Sequence, residues 1–243
     1  MMLRPAASRS GRLRMAVPKG ALWDESLAAL DAAGVDVEAL AAPGRQLIVT
    51  AGDMEFVIAK PTDIPAYVAY GAVDVAFAGK DVLIEAGLEV VEMVDLGFGA
   101  CRFVVAEPED AGAVVAEHYR HLGVIRVATK YPRITEQHYA AKGVQVEVVK
   151  LHGNIEIAPL IGLADQVVDI TATGTTLREN RLRIVEEVLP STARFVANPA
   201  SLRTESARIT DLANRLAAAT SRGPAPATGS GDASDAGSPA PLE

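Results

Sequence analysis

A chain of 243 residues has room for one large domain or two small ones, and its core must be aliphatic: 49% of residues are hydrophobic but only 5% aromatic, the balance of an Ala/Val/Leu-rich α/β protein. With 23 basic against 31 acidic side chains the net charge is −8, which argues against nucleic acid as a general partner while allowing a local basic pocket for a polyphosphate. Cys101 is the only cysteine, so neither an intrachain disulfide nor a cysteine-based metal site can form, and it reads as a small buried hydrophobe.

Met1 to Arg14 carries Arg4, Arg9, Arg12 and Arg14 with no apolar core of signal-peptide length, and no run of about eighteen apolar residues occurs anywhere. A disordered extension over residues 1–11, no membrane span and a cytoplasmic location are therefore expected. Leu13 to Val17 is a short apolar strand stopped by Pro18-Lys19-Gly20. Leu22, Trp23, Leu27 and Leu30 then recur at helical spacing, Asp24 and Glu25 suit a first turn, and Gly34 suits a C-terminal cap. Leu47 to Thr50 and Glu55 to Ala59, with Gly52-Asp53 between them, predict a hairpin. Thr62 or Asp63 is placed to cap a helix running to Tyr70, with Pro65 tolerated in its first turn and Gly71 ending it.

Val73 to Ala78 is another strand, ended by Gly79-Lys80-Asp81 before a short helix to Gly87, and Val90 to Leu96 is a further one. Three lysines, Lys19, Lys60 and Lys80, thus each follow a strand. If those strands are parallel their ends gather at one edge of the sheet, where α/β proteins bind ligands. Beyond Gly97, strands at Arg102 to Ala106, Ile125 to Thr129 and Val144 to Lys150 alternate with helical stretches at Glu109 to His121 and Ile134 to Ala141, which predicts a second α/β unit. The four histidines show no metal-ligand spacing.

The most informative stretch is Val167 to Leu177. An apolar, β-branched run gives way to Thr171-Ala172-Thr173-Gly174-Thr175-Thr176 and then to helix-favouring Leu177-Arg178-Glu179, reading as strand, loop and helix start. Gly174 permits a tight turn, the amides of Thr173 to Thr176 can converge on an anion, the helix start adds partial positive charge, and the hydroxyls can donate. Asp169, at the strand's end, is placed to accept from vicinal hydroxyls. Phosphate and diol together describe a ribose 5-phosphate site; an ordinary strand-to-helix connection is the plain alternative. Arg183 to Leu189 and Ala193 to Asn198 then read as strands, Ser201 to Ala219 as one amphipathic helix, and residues 220–243, rich in Gly, Pro, Ala and Ser, as a disordered tail.

Glu156-Ile157-Ala158-Pro159-Leu160-Ile161-Gly162-Leu163-Ala164-Asp165, leading into Val167-Val168-Asp169-Ile170 and Thr173-Gly174-Thr175-Thr176-Leu177, resembles the signature of the ATP phosphoribosyltransferases, which open histidine biosynthesis. Pro18-Lys19-Gly20, Lys60-Pro61-Thr62-Asp63-Ile64-Pro65, Gly79-Lys80-Asp81-Val82-Leu83, Asp95-Leu96-Gly97 and Ala128-Thr129-Lys130-Tyr131-Pro132 are similar to further blocks of that family, in its order. The resemblance covers roughly Arg12 to Ala219 and matches the short form, without a C-terminal regulatory domain. It implies a two-lobed α/β fold like the type II periplasmic binding proteins. The first lobe would comprise residues 12–95 plus 186–219, and the second, with the phosphoribosyl loop, residues 96–185.

The resemblance further implies transfer of the 5-phosphoribosyl group of phosphoribosyl pyrophosphate to N1 of the adenine of ATP, with Mg²⁺ carried on the substrate diphosphate rather than in a protein cage. Thr173, Gly174, Thr175 and Thr176 would hold the 5-phosphate and Asp169 the ribose hydroxyls. Arg45 would neutralise departing pyrophosphate, while Lys19, Gly20 and Lys80 would line the facing lobe on the diphosphate or ATP side. Glu156 suits either a ligand contact or a structural ion pair. A homodimer, and association with a regulatory subunit related to histidyl-tRNA synthetase, are implied as well. Two departures stand out: Ala21 and Lys60 occupy positions where many family members carry arginine, and the first, on the expected ATP side, predicts weak ATP binding by the isolated chain. Rival readings are another phosphoribosyltransferase, a solute-binding protein on the same fold, and a catalytically silent regulatory subunit.

Overall fold

The structure, a computed structural model, describes residues 11–221, so the extension expected over 1–11 and the tail over 220–243 lie outside the described residues except at their inner ends. In chain order, β1 (Leu13–Pro18), α1 (Trp23–Ala32), α2 (Glu38–Ala41), β2 (Ile48–Ala51), β3 (Met54–Ala59), a 3₁₀ turn (Pro61–Asp63), α3 (Ile64–Ala69), β4 (Val75–Gly79), α4 (Lys80–Ala86) and β5 (Val91–Asp95) form most of one lobe. The second holds β6 (Cys101–Pro108), α5 (Gly112–Leu122), β7 (Ile125–Thr129), α6 (Pro132–Ala141), β8 (Val146–Lys150), α7 (Ile157–Leu160), β9 (Gln166–Thr171), α8 (Thr175–Glu179) and β10 (Leu182–Ser191). The chain then returns to the first lobe as β11 (Ala193–Ala197), α9 (Pro199–Thr204) and α10 (Ser206–Thr220).

The first sheet runs β2-β3-β1-β4-β11-β5 and the second β10-β6-β9-β7-β8. Strands β1, β3 and β4 are parallel, as are β7, β8 and β9, whereas β11 and β6 are antiparallel to their neighbours. Central strands are buried on both faces, which explains their continuous apolar runs: β4 is buried at every position, Val75 and Phe77 joining one cluster of core side chains and Ala76 and Ala78 another. Phe77 meets Phe195 edge to face at 6.0 Å, tying β4 to β11.

Two crossings join the lobes, at residues 96–100 and at Thr192, and they run side by side. Ala193 N donates to Phe98 O at 2.9 Å and Leu96 N to Ala193 O at 2.9 Å. Asp95 Oδ1 accepts from Gly97 N at 3.0 Å and from the Thr192 hydroxyl at 2.8 Å. Burial works to raise the Asp95 carboxyl, but the Thr192 hydroxyl, the Gly97 amide and Arg194 together hold it below its ordinary value.

Three expectations are corrected. The second lobe does not end at 185, because β10 keeps pairing with β6 through Ser191 opposite Cys101, with irregularities between Ile184 and Glu186 and between Glu187 and Leu189. Neither Thr62 nor Asp63 caps α3 through its side chain, since both lie in the 3₁₀ turn that leads into it. The final helix is two: Asn198 caps α9 by accepting from Ala200 N and Ser201 N at 2.9 Å each, and Glu205 interrupts the run before α10.

Candidate active site

The strand registers fix where the site lies. Gly79, at the C-terminal end of β4, pairs with Ala193 just after one crossing. Thr171, at the C-terminal end of β9, pairs with Arg102 just after the other. The C-terminal ends of the parallel strands of both lobes therefore flank the same hinge, and the loops that follow them border the cleft between the lobes.

On the second lobe, Val167 and Val168 are fully buried within β9, and Asp169 follows at 9% exposure. Its Oδ1 accepts from Ile170 N at 2.8 Å. Burial pushes the Asp169 carboxyl up; the Ile170 amide and Lys130 pull against that rise, and the negative charge of Glu156 adds to it. The chain then turns, with Gly174 N donating to the Thr171 hydroxyl at 2.7 Å. Gly174 is buried at φ +73°, and a Cβ there would meet Arg178 Nη1 at 3.2 Å and Ile184 Cδ1 at 3.3 Å, so both conformation and space call for glycine. The hydroxyls of Thr173 and Thr175 lie 2.9 Å apart. Thr176 is exposed and contributes its carbonyl to Asn180 Nδ2 at 2.9 Å.

Helix α8 has only 5 residues, too few to sum an appreciable dipole, so the local positive charge expected from a helix start comes from a side chain instead. Arg178 lies over the loop, Nη1 donating to Thr173 O at 2.9 Å and Nη2 to the Thr175 hydroxyl at 3.1 Å. Sequence reasoning passed over both Arg178 and Lys130. Lys130 follows β7 just as Lys19 follows β1, a usable signal; Arg178 sits three residues beyond Thr175, within helical reach of it. Tyr131, also passed over, packs edge to face on Phe103 at 4.7 Å. Burial, reinforced by Asp81 and Asp169, pushes its phenol up, so it stays a neutral donor.

On the first lobe, Pro18 and Ala59 are paired in register, so Lys19 and Lys60 leave adjacent parallel strands side by side. Both are exposed and neither forms an ion pair among the described residues. Gly20 turns the chain at φ +89° toward α1, its carbonyl accepting from Trp23 N at 2.9 Å. Because Ile58 N donates to Leu47 O at 2.8 Å, the segment before Leu47 runs past the end of β3, which sets exposed Arg45 at the same sheet edge as Lys19 and Lys60. Lys80 differs. Its ammonium pairs with Glu92, which lies opposite Val196, itself level with Ala76 on β4, so the side chain runs back along the sheet instead of out into the cleft. Cys101 is half-buried, its thiol pushed up by burial and by Asp81, as suits an inert packing residue.

A family model described as ATP phosphoribosyltransferase (HisG) matches residues 60–218. An ATP phosphoribosyltransferase of Rubrobacter xylanophilus is 49% identical over 200 residues, 82% of this chain and 93% of that protein. One from Moorella thermoacetica is 47% identical over 215 residues, 87% of this chain and 94% of that protein. Among solved structures, a chain of the ATP phosphoribosyl transferase (HisG:HisZ) complex from Thermotoga maritima superposes with a TM-score of 0.74 at 31% identity, over 86% of this chain and 99% of that one. The periplasmic aliphatic sulphonate binding protein SsuA from Escherichia coli, 13% identical with a TM-score of 0.55 over 87% of this chain and 73% of that one, shares the fold alone. The buried aspartate, the hydroxyl-lined turn and two lobes hinged at paired crossings thus occur in a sequence close to half identical to named relatives along nearly their whole length, and the chain belongs to the ATP phosphoribosyltransferase family.

Proposed function

We propose that this enzyme joins N1 of the adenine of ATP to C1 of the ribose of phosphoribosyl pyrophosphate and releases pyrophosphate, the first step of histidine biosynthesis. One observation carries the reading beyond family membership: Asp169, buried at the end of β9, stands directly before a turn lined by the Thr173 and Thr175 hydroxyls, at the cleft edge. A carboxylate for a diol beside a cradle for an anion fits a ribose 5-phosphate.

In the reaction the bond from C1 to the diphosphate oxygen breaks, its electron pair leaving with the diphosphate. The N1 lone pair forms the new bond, and the purine sheds the resulting charge by losing a proton. N1 needs no strong base to expose its lone pair, so the barrier lies in a cation-like ribose and a highly charged leaving group, and electrostatic stabilisation is the main requirement. Thr173, Gly174, Thr175 and Thr176 hold the 5-phosphate. Asp169 accepts from the ribose hydroxyls and sets a negative charge beside the developing cation. Arg45, with Lys19, faces the departing pyrophosphate, arginine being suited to grip phosphate oxygens in pairs. Gly20 lets the backbone approach the ATP side, while Lys80, paired with Glu92, contributes field instead of contact. Mg²⁺ would be carried on the diphosphate oxygens: the cleft edge offers Lys19, Lys60, Arg45 and threonine hydroxyls, which suit an anion. Bound there, it would offset part of the leaving group's charge.

The same reading includes a cytoplasmic catalytic homodimer that associates with a histidyl-tRNA-synthetase-like regulatory subunit. Support comes from the Thermotoga maritima neighbour, solved as a HisG:HisZ complex. Exposed Ala21 leaves the ATP side one guanidinium short of many family members, so the isolated chain should bind ATP weakly; sub-micromolar affinity would count against that. The test of the reaction is near-ultraviolet absorbance with ATP, phosphoribosyl pyrophosphate, Mg²⁺ and a pyrophosphatase, comparing wild type with Asp169→Ala. Turnover lost in the variant supports both reaction and ribose site. No turnover by wild type, even with the regulatory partner added, overturns the assignment.

A further inference from the structure

The guanidinium of Arg178 touches both arms of the turn. Nη1 donates to the Thr173 carbonyl, Nη2 to the Thr175 hydroxyl, and Nη1 also stands 3.2 Å from where a Cβ on Gly174 would be. No carboxylate pairs with Arg178 among the described residues, so its charge is spent on the loop alone. A guanidinium only donates; the Thr175 hydroxyl therefore accepts from it and is left to donate its own proton onward. Thr173 Oγ1 lies 2.9 Å from that hydroxyl, with either oxygen able to donate, and it also accepts from the Thr175 amide at 3.4 Å. Hydroxyl and amide are thus aimed together at one acceptor position, as a phosphate oxygen would require.

We propose that Arg178 is a positioning residue for the 5-phosphate: it clamps the two arms of the Thr173–Thr176 turn and orients the Thr175 hydroxyl as a donor to the incoming phosphate. The inference rests on the reading of this loop as the ribose 5-phosphate site and adds a residue to it. Its second component is charge, since an uncompensated cation within reach of the loop favours a dianion even before contact.

The experiment is calorimetric titration of the full chain with ribose 5-phosphate, alongside steady-state kinetics, for wild type, Asp169→Ala, Arg178→Met, Arg178→Lys, Thr175→Val and the Arg178→Met/Thr175→Val double variant. Arg178→Met should weaken ribose 5-phosphate binding and raise the KM for phosphoribosyl pyrophosphate roughly tenfold, with kcat and the KM for ATP within about twofold of wild type. Arg178→Lys, which keeps the charge but cannot bridge two acceptors, should recover only part of the loss. The double variant should bind little worse than the weaker single one, because both changes cut the same link. Arg178→Met binding within twofold of wild type, or losses that multiply in the double variant, overturn the clamp. Should wild type itself fail to bind ribose 5-phosphate, the reading of the loop falls and the clamp falls with it; binding that is abolished by Asp169→Ala but indifferent to Arg178→Met removes the clamp alone.

Discussion

Glu85 of the first lobe caps a helix of the second: its carboxylate accepts from Arg133 N at 3.3 Å and Ile134 N at 3.1 Å at the start of α6. The residue at the N-cap position of α6, Tyr131, makes no side-chain cap bond, so the free amides of that helix are satisfied from across the lobe boundary. Close by, Ser191 at the end of β10 accepts from Asp81 N at 3.0 Å and donates to Asp81 Oδ1 at 3.1 Å. Helix α4 thereby touches both α6 and the return crossing. Ile84 of α4 also packs against the core of the second lobe, so polar and apolar contacts of this one helix together join the lobes beside the cleft.

Replacing Glu85 with Ala should accordingly cost about 0.5–2 kcal/mol, the value of a lost helix cap. In a domain of this length about 1 kcal/mol lowers Tm by roughly 2–4 °C. Glu85→Gln keeps an acceptor and should recover most of the loss, short of the attraction between a full negative charge and the helix start. Thermal denaturation followed by circular dichroism reads the difference, and an unchanged Tm in the Ala variant would show that the cap carries no weight.

Asp169 presents the opposite case, a group retained against stability. Its folded-state carboxyl is raised above the ordinary value, chiefly by burial, so between the unfolded and folded pKa values the native chain holds more proton than the unfolded one. Stability therefore falls as pH rises through that window, and the cost is fully present above it. Asp169→Asn should raise Tm at pH 7 by roughly 2–4 °C, the worth of about 1 kcal/mol, while abolishing turnover. The gain should vanish in acid, where the carboxyl of wild type is neutral too. A variant that is less stable at neutral pH would mean that the Ile170 amide and Lys130 together outweigh the cost of burying the charge.

How far the sequence reveals this arrangement differs from residue to residue. Strands β1, β7 and β9 are legible because each is a short apolar run closed by a Pro, Lys or hydroxyl stop, and Asp169 with its turn is legible because strand, loop and helix start are contiguous. Lys19 and Lys60 are found by the rule that a residue after a parallel strand faces the ligand edge; the same rule would have found Lys130. The strand expected over Arg183 to Leu189 is β10 without its first residue and its last two, and the boundary at 185, which the resemblance implied, cuts across it. No Gly or Pro marks the interruption at Glu205, so the apolar period of α9 and α10 reads as one helix. Glu85 acts on backbone amides brought near by folding, which no local pattern announces, whereas the only signal for Arg178 is its helical spacing from Thr175.

Gly174 tests the geometry of the turn. At φ +73° an alanine pays about 1–2 kcal/mol for the left-handed conformation. Its Cβ would also press on Arg178 and on Ile184, which forms part of β10. Gly174→Ala should raise the KM for phosphoribosyl pyrophosphate well above tenfold and lower Tm by several degrees, whereas the KM for ATP should hardly move. Equal changes in both KM values would place the damage in the lobes instead of the turn.

Arg45 separates catalysis from stability. It is exposed, follows Gly44 at φ +61°, and forms no ion pair among the described residues, so its removal should leave Tm within about 1 °C of wild type, as for surface substitutions away from special features. If its guanidinium meets the leaving diphosphate, the contact strengthens as the C1 bond breaks and negative charge gathers on the departing oxygens. A group that acts mainly in the transition state lowers kcat and kcat/KM together when removed. Arg45→Ala should therefore lose about 2–4 kcal/mol of transition-state stabilisation, a hundredfold or more in kcat, with KM values little changed. Arg45→Lys should retain part of the rate through its charge but not the paired grip on phosphate oxygens. Single-turnover kinetics at saturating substrates would measure the chemical step directly, and a variant with normal kcat but a raised KM would assign Arg45 to ground-state binding instead.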